Sequence, residues 1–296
     1  MNFESTTLMV SICMITYNHE MYIAEAIEGI IMQKTTFPIR LVIGEDGSSD
    51  NTRKICEEYK NKYPELIELL PFEGNLGMMA NFIKTLKACK GKYIALCEGD
   101  DYWTDSLKLQ KQIDFLTLND KYSICFHKVQ RILDGNPLNG TSHDLLRQKE
   151  YNSKEILENF IVPTASVVFK NNNNGVFKPL LDNRVIHGDI ILWLSLLQYG
   201  KAFCLEENMA VYRLQENSVT RKPLSPTLYK ATTKHFEYLL EFQPNLKKII
   251  SHKINEVSWN FYISQLKRKK YSFIINIIIL CLKEPKLFLY KFKNKI

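Results

Sequence analysis

Tyr93-Ile94-Ala95-Leu96-Cys97-Glu98-Gly99-Asp100-Asp101 is the stretch on which the fold turns. It opens as an uninterrupted apolar run, the pattern of a strand covered on both faces of a sheet. It closes with three carboxylates at the end of that strand. Crowded carboxylates repel one another and cost desolvation, so they need a cation nearby. Hard divalent ions such as Mg²⁺ or Mn²⁺ take oxygen ligands, often one or two carboxylates together with substrate phosphates. Open α/β sheets bind ligands at the carboxyl ends of their strands, so one reading is a metal-assisted site for a phosphorylated substrate. The other is that Asp100-Asp101 simply caps a following helix, expected over 106–118. Taken alone, the stretch leaves both open.

Leu41-Val42-Ile43 is a second strand-like run, ending in Gly44-Glu45-Asp46-Gly47-Ser48-Ser49-Asp50-Asn51-Thr52. A helical pattern of Ile55, Tyr59 and Tyr63 follows and is stopped by Pro64, with Asp50 or Ser49 as its expected N-cap. A third run, Met9-Val10-Ser11-Ile12-Cys13-Met14-Ile15, ends in Thr16-Tyr17-Asn18, ahead of a helix carrying Ile23, Ala26, Ile27, Ile30 and Ile31. Three strand-to-helix units thus place polar residues at the same strand end. That is the anatomy of a nucleotide site on a parallel sheet, and the repetition favours the ligand site over the helix cap.

Ile15-Thr16-Tyr17-Asn18, Glu45-Asp46-Gly47-Ser48-Ser49-Asp50, Asn75-Leu76-Gly77 with Asn81, and Gly99-Asp100-Asp101-Tyr102-Trp103 together resemble the family 2 glycosyltransferases, over roughly residues 9–215. The resemblance implies a GT-A fold: a Rossmann-like, mostly parallel sheet flanked by helices, here with a small C-terminal helical appendage. It implies that Tyr17 stacks on the base of a nucleotide-sugar donor, for which a flat aromatic face is suited. Asp46 would accept the base's ring N–H. Thr16, Asn18, Asn75 and Gly77 would complete the donor site, and Asp100 would lie near the ribose and the metal. Asp101 would be the principal protein ligand of a divalent ion, Mn²⁺ or Mg²⁺, that stabilises the diphosphate leaving group.

A fifth element, Gly188-Asp189, opens the apolar run Ile190-Ile191-Leu192-Trp193-Leu194-Ser195-Leu196-Leu197, which reads as a buried helix. A carboxylate in its first turn is favoured by the helix dipole. An N-cap role is open from the residues alone; the resemblance implies that Asp189 is the general base that deprotonates an acceptor hydroxyl, with inversion at the sugar. His187 beside it is either a loop histidine or an acceptor contact. Two departures from the family stand out. Met78-Met79-Ala80 lies where many members carry a basic residue, and Tyr212-Arg213-Leu214-Gln215 ends in Gln where others have a metal-binding His. Gln is a poor replacement for imidazole, so metal coordination is expected to rest on Asp101, the diphosphate and water. Arg213 is expected to contact phosphate or to form an ion pair.

At 296 residues and 45% apolar content the chain can hold one α/β domain plus an appendage. The expected division is 1–224 for the nucleotide-sugar-binding catalytic domain and 225–296 for a basic, apolar helical region. The seven cysteines carry no Cys-x-x-Cys pair, which suits reduced core residues of a cytoplasmic protein and not a zinc site. Residues 1–7 lack a basic n-region and an apolar run, so no signal peptide is expected. Between 263 and 296 there are nine Lys or Arg and one acid, a balance of +8 against +7 for the whole chain. These basic residues interleave with aliphatic and aromatic ones, including 271–282, an apolar stretch too short to span a bilayer. The pattern suits a helix on an anionic membrane surface, the alternative being a helical cap with a solvated lysine face. No nucleic-acid module is visible. In the middle of the chain, 123–126 and 162–169 read as strands, and Trp103, Thr164 and Ser166 are expected near an acceptor pocket.

The function expected is an inverting, metal-assisted glycosyltransferase in surface-polysaccharide assembly, peripheral at the inner face of the cell membrane. Its donor is expected to be UDP-linked, and its acceptor a glycan or a lipid-linked sugar. Two alternatives are a polyprenyl-phosphate glycosyltransferase, which needs no general base, and a non-catalytic nucleotide-binding membrane adaptor.

Overall fold

The computed structural model describes residues 8–138, 146–171, 175–214, 225–267 and 273–284. Several sequence expectations fall outside them: the N-terminal 1–7, Gln215, the boundary at 224, and the basic runs 268–270 and 285–296. The chain divides into two compact units, one of 1–181 with 188–216 and the other of 182–187 with 217–296.

In the first unit, the described strands form one sheet in the order β3-β2-β1-β4-β9-β6-β10-β5, with β7 on β6 and β8 on β10. The strands β1 (Val10–Thr16), β2 (Ile39–Glu45), β3 (Ile67–Leu69) and β4 (Tyr93–Leu96) are parallel to one another. They alternate with α1 (Ile23–Ile31), α2 (Thr52–Lys62) and α3 (Met78–Ala88). Helices on both faces bury all of β4 and all of β1 but Ile15, which explains why both read as continuous apolar runs rather than as alternating ones. The chain steps from β1 outward to β2 and β3, then returns to place β4 on the other side of β1. The β1/β4 boundary is therefore the topological switch point, where such sheets bind ligands.

Beyond β4 the sheet is mixed. β5 (Tyr102–Trp103) leads into α4 (Lys108–Leu118), then β6 (Tyr122–Leu133) and the short β7 (Asn136–Pro137). β8 (Lys149–Tyr151), α5 (Ser153–Asn159) and β9 (Val168–Lys170) follow, the last antiparallel to both β4 and β6. The strand expected over 162–169 is only partly a strand. Pro163 has no N–H to give a ladder, its carbonyl accepts from Ser166 Oγ at 2.7 Å, and Thr164–Ser166 form a 3-10 turn before β9. The helix α6 (Gly188–Leu196) is buried on nearly every side, as its sequence implies. β10 (Lys201–Leu214) is long and irregular, with register breaks between Leu205 and Asn208 and between Asn208 and Val211. The breaks let its first half pair with β8 and its second half with β5. Cys13, Cys56, Cys89, Cys97, Cys125 and Cys204 are all buried free thiols.

The second unit is helical: α7 (Pro226–Phe242), α8 (Lys247–Lys267) and α9 (Ile274–Lys283). Ser225 caps α7 by accepting from Leu228 N at 3.1 Å. The Tyr229 ring stacks on Phe261 at 4.1 Å and joins α7 to α8. Residues 182–187 belong to this unit because Arg184 makes two 2.8 Å bonds to Glu241 and the His187 ring packs on His235. α9 presents Ile275 at 68% and Leu282 at 79% exposure, beside exposed Ile274, Ile278 and Ile279. Among the described residues no helix is long and apolar enough to cross a membrane.

Candidate functional site

The parallel register aligns the ends of β1, β2 and β4. Thr16 lies opposite Glu45 and Cys13 opposite Leu96, so the loops after the three strands leave the sheet side by side. Backbone bonds continue past the strand ends, from Asp46 N to Thr16 O at 3.0 Å and from Gly99 N to Ile15 O at 2.9 Å.

The loop after β1 turns at Asn18, whose φ of 53° is left-handed, a conformation that Asn tolerates. Its backbone N–H donates to Ser48 Oγ at 2.9 Å and its side-chain oxygen accepts from Ser49 N at 2.8 Å. Asp50 accepts from Thr52 N at 2.9 Å and from Glu20 N at 3.1 Å, so it ties the two loops together ahead of α2, whose N-cap position is Asn51 rather than the expected Asp50 or Ser49. Burial alone would raise the Asp50 pKa, but the hydrogen bonds from Thr52 and Glu20 outweigh it and hold the carboxyl below its ordinary value. Tyr17 stands on this braced turn with its ring 45% exposed. Asp46 is buried and accepts from Leu76 N at 2.7 Å and Gly77 N at 3.0 Å. These bonds place Asn75 and Gly77 beside it. Each carboxylate oxygen keeps a lone pair for a further donor.

Gly99 passes directly over Thr16. A Cβ there would lie 2.5 Å from Thr16 Oγ1 and 3.1 Å from His19 Nδ1, so only glycine fits. Asp100 Oδ2 lies 3.8 Å from His19 Nε2. Asp101 is fully buried; its Oδ1 accepts from Arg213 N at 2.9 Å, while its Oδ2 has no partner among the described residues. Burial, then the charges of Asp100 and Glu98, push the Asp101 carboxyl well above the carboxylate range. Neither aspartate caps a helix. α4 begins at Lys108 instead of Ser106, with Leu107 at its N-cap position and no side-chain cap; Asp105 accepts from Leu107 N at 2.8 Å in the turn before it.

Asp189 joins the same group. Burial, then the charges of Asp100 and Asp189, push Glu98 up to about 8, so all three carboxylates share one electrostatic neighbourhood. A Cβ on Gly188 would lie 2.7 Å from Met79 Cε, placing the start of α6 against the first turn of α3. Asp46 is bonded at the other side of that turn, at Gly77. Met79, where the family often has a basic residue, is here the contact that seats α6.

One expectation is corrected, and for Arg213 the ion-pair alternative is the one realised. Trp103 is not exposed towards an acceptor: it is 1% exposed and its indole N–H donates to Ala165 O at 2.8 Å. Arg213 is committed within the protein, since its Nη1 donates to Asp100 O at 2.8 Å and its Nη2 pairs with Glu25. His187 belongs to the helical unit, against His235, while Asp189 belongs to the sheet unit. Thr164 is half-buried in the 3-10 turn. The sequence reading missed His19, Tyr22 and Glu25. The helical spacing of Tyr22 and Glu25 from α1's buried face was the available signal.

The residues fit a divalent cation. Asp101 supplies an orphaned buried oxygen, and the surrounding acids raise its proton affinity as a positive charge would lower it. Among the described residues no group of three or more His, Cys, Asp or Glu is arranged to hold a metal. Phosphate and water oxygens would have to complete the shell.

The family model described as glycosyl transferase family 2 matches residues 11–177, more than half of the chain. The chain belongs to glycosyl transferase family 2. Among curated relatives of this chain, an uncharacterised Mycobacterium tuberculosis protein is 35% identical over 71% of this chain and 60% of its own length. The chain thus spans about 60% of the length of the first mycobacterial relatives it matches. The putative teichuronic acid biosynthesis glycosyltransferase TuaG of Bacillus subtilis is 28% identical over 72% of this chain and 81% of its own. Staphylococcus aureus TarS in complex with UDP-GlcNAc shares the fold, with a TM-score of 0.64 and 18% identity over 84% of this chain and 72% of that one. The mannosyltransferase PcManGT of Pyrobaculum calidifontis, in complex with GDP-Man and Mn²⁺, gives 0.55 and 13% over 95% and 82%. The chain therefore has the GT-A fold, a central mixed sheet flanked by helices.

Proposed function

We propose that this glycosyltransferase moves a sugar, with inversion, from a UDP-linked donor to a hydroxyl of a glycan or lipid-linked acceptor in surface-polysaccharide assembly. The convergence of Asp46, Asp100-Asp101 and Asp189 on the switch-point end of the sheet carries the reading. Tyr17 offers its exposed face to the base and Asp46 accepts the ring N–H. Thr16, Asn18, Asn75 and Gly77 frame the nucleotide. Asp101, with Asp100 beside it, would hold Mn²⁺ or Mg²⁺, which supplies charge stabilisation to the departing diphosphate. Asp189 takes the acceptor hydroxyl proton as that oxygen bonds to the anomeric carbon. The bond from that carbon to the diphosphate oxygen breaks, and its electron pair leaves with the nucleoside diphosphate. Thr164, half-buried in its 3-10 turn, is the acceptor contact of this reading.

The relative TuaG, by name a teichuronic acid enzyme, supports an envelope acceptor. The exposed isoleucines of α9, in a region of balance +8, support a peripheral seat on the inner face of the membrane.

Release of nucleoside diphosphate from a panel of nucleotide sugars, with and without Mn²⁺, tests the proposal. Turnover of a UDP-linked donor that needs Mn²⁺ is expected. Asp101→Ala should abolish the metal response, and Asp189→Asn should lower transfer to a hydroxyl by 10²–10⁴-fold. Full activity of Asp189→Asn would favour a polyprenyl-phosphate acceptor, and nucleotide binding without release would favour the adaptor.

A further inference from the structure

Arg213 is the one arginine of β10, and its backbone and Nη1 bonds go to the acidic motif. Its backbone N–H donates to Asp101 Oδ1 at 2.9 Å and its Nη1 to the Asp100 carbonyl at 2.8 Å. Nη2 pairs with Glu25 on α1. The guanidinium lies between two rings, 5.1 Å from the Tyr22 centroid and 4.3 Å from that of Tyr102. Its side chain is only 11% exposed, whereas Glu25 is 53% exposed. β10 reaches this point because Val211 pairs with Tyr102 and Ala210 with Trp103, immediately after the two aspartates.

We infer that Arg213 and Glu25 are positioning residues that fix the Asp100–Asp101 turn so that Asp101 Oδ2 faces the donor site. The inference rests on the glycosyl-transfer reading and deepens it. One Asp101 oxygen is used by the Arg213 backbone, which fixes the carboxylate plane and leaves the other oxygen to act as a ligand. The fork of Arg213 fixes the peptide between the two aspartates, and planar stacking on Tyr22 and Tyr102 fixes the fork. Glu25 closes the arrangement from the solvent side and balances a cation that would otherwise compete with the metal for the same acids. A general structural ion pair would join two distant surfaces. Here both side-chain and backbone bonds end on the two residues that would meet the diphosphate and its cation. Outer-shell partners of this kind typically change metal affinity by 10–100-fold when altered.

The test uses the full chain with UDP, reading Mn²⁺ binding by electron paramagnetic resonance, transfer at saturating Mn²⁺, and thermal unfolding. Arg213→Lys keeps the charge and the backbone N–H but cannot span Asp100 O and Glu25 together or stack as a plane. Glu25→Gln keeps the shape at an exposed position. Both should weaken Mn²⁺ binding at least tenfold, with the midpoint of unfolding within about 2 °C of wild type. Unchanged Mn²⁺ affinity in both variants, with wild-type binding intact, overturns the positioning role alone. Wild-type protein that binds no Mn²⁺ with UDP overturns the glycosyl-transfer reading and this inference with it. If Arg213→Lys does not fold, Glu25→Gln decides by the same readouts.

Discussion

Lys108 gives the sharpest physical prediction. The side chain is fully buried beneath the acidic motif, with Nζ donating to Gln112 Oε1 at 2.8 Å and lying 4.0 Å from the Trp103 ring centroid. Burial lowers its pKa from 10.5 to about 7. Between those values the unfolded state holds one more proton than the folded state, so this group makes stability rise with pH. At about 1.36 kcal/mol per pH unit the full depression corresponds to roughly 5 kcal/mol. A desolvated cation–π contact favours the charged form by about 2 kcal/mol and trims that value. Lys108→Met removes the titration and leaves Gln112 Oε1 without its donor, at a cost of about 1–3 kcal/mol. The variant should therefore lie close to wild type at pH 7. By pH 10 wild type should have gained roughly 2–3 kcal/mol on it. Urea unfolding of both proteins at several pH values reads the difference. The buried thiols tilt both curves the opposite way; those of Cys13, Cys56 and Cys204 cancel in the comparison, and the Lys108 charge acts on Cys97 and Cys125 as a smaller effect than burial. A wild-type-minus-variant curve that stays flat from pH 7 to 10 refutes the reasoning.

Gly99→Ala should cost about 1–3 kcal/mol in thermal unfolding, because its Cβ would meet Thr16 Oγ1 at 2.5 Å. The resulting shift between β1 and β4 should also lower kcat/KM for donor turnover by about 10²-fold; activity within twofold of wild type would contradict the close approach. In the helical unit, burial and then His187 lower the His235 pKa from 6.5 to about 3. The unfolded state therefore takes up the proton first, and stability is lost as pH falls below 6.5, at up to about 1.4 kcal/mol per pH unit. His235→Phe should flatten that slope in acid unfolding curves. Ile275→Glu with Ile278→Glu on α9 should abolish co-sedimentation with anionic vesicles at low salt while leaving soluble-donor hydrolysis unchanged; equal sedimentation of variant and wild type would remove the membrane seat.

β1, β2 and β4 were legible because each carries a continuous apolar run that ends in a polar loop, whereas β3, only Ile67-Glu68-Leu69, shows no such run and was missed. The C-terminal half of the sheet was harder. β9 is only Val168–Lys170, and β10 contains exposed Glu206 and Glu207 at its register breaks, so neither shows a clean period. Asp46, Asp100 and Asp101 were visible as charge at strand ends. Trp103 was misjudged because sequence shows a tryptophan after acids but not the Ala165 carbonyl that receives its N–H. Glu25 and Arg213 are separated by 188 positions, and only β10's pairing with β5 brings them together.

The distribution of sulfur has a practical consequence. Burial drives the thiols of Cys56, Cys125 and Cys204 up to about 12 and those of Cys13 and Cys97 well above the ordinary value. Such groups carry almost no thiolate at neutral pH and resist alkylation until the sheet unit opens. Cys281, on α9 and only partly covered, is the thiol a maleimide reaches first. The unaltered chain can thus take a fluorescent or spin label one turn from Ile278, where wavelength or collision rate reports directly whether that helix leaves water for lipid.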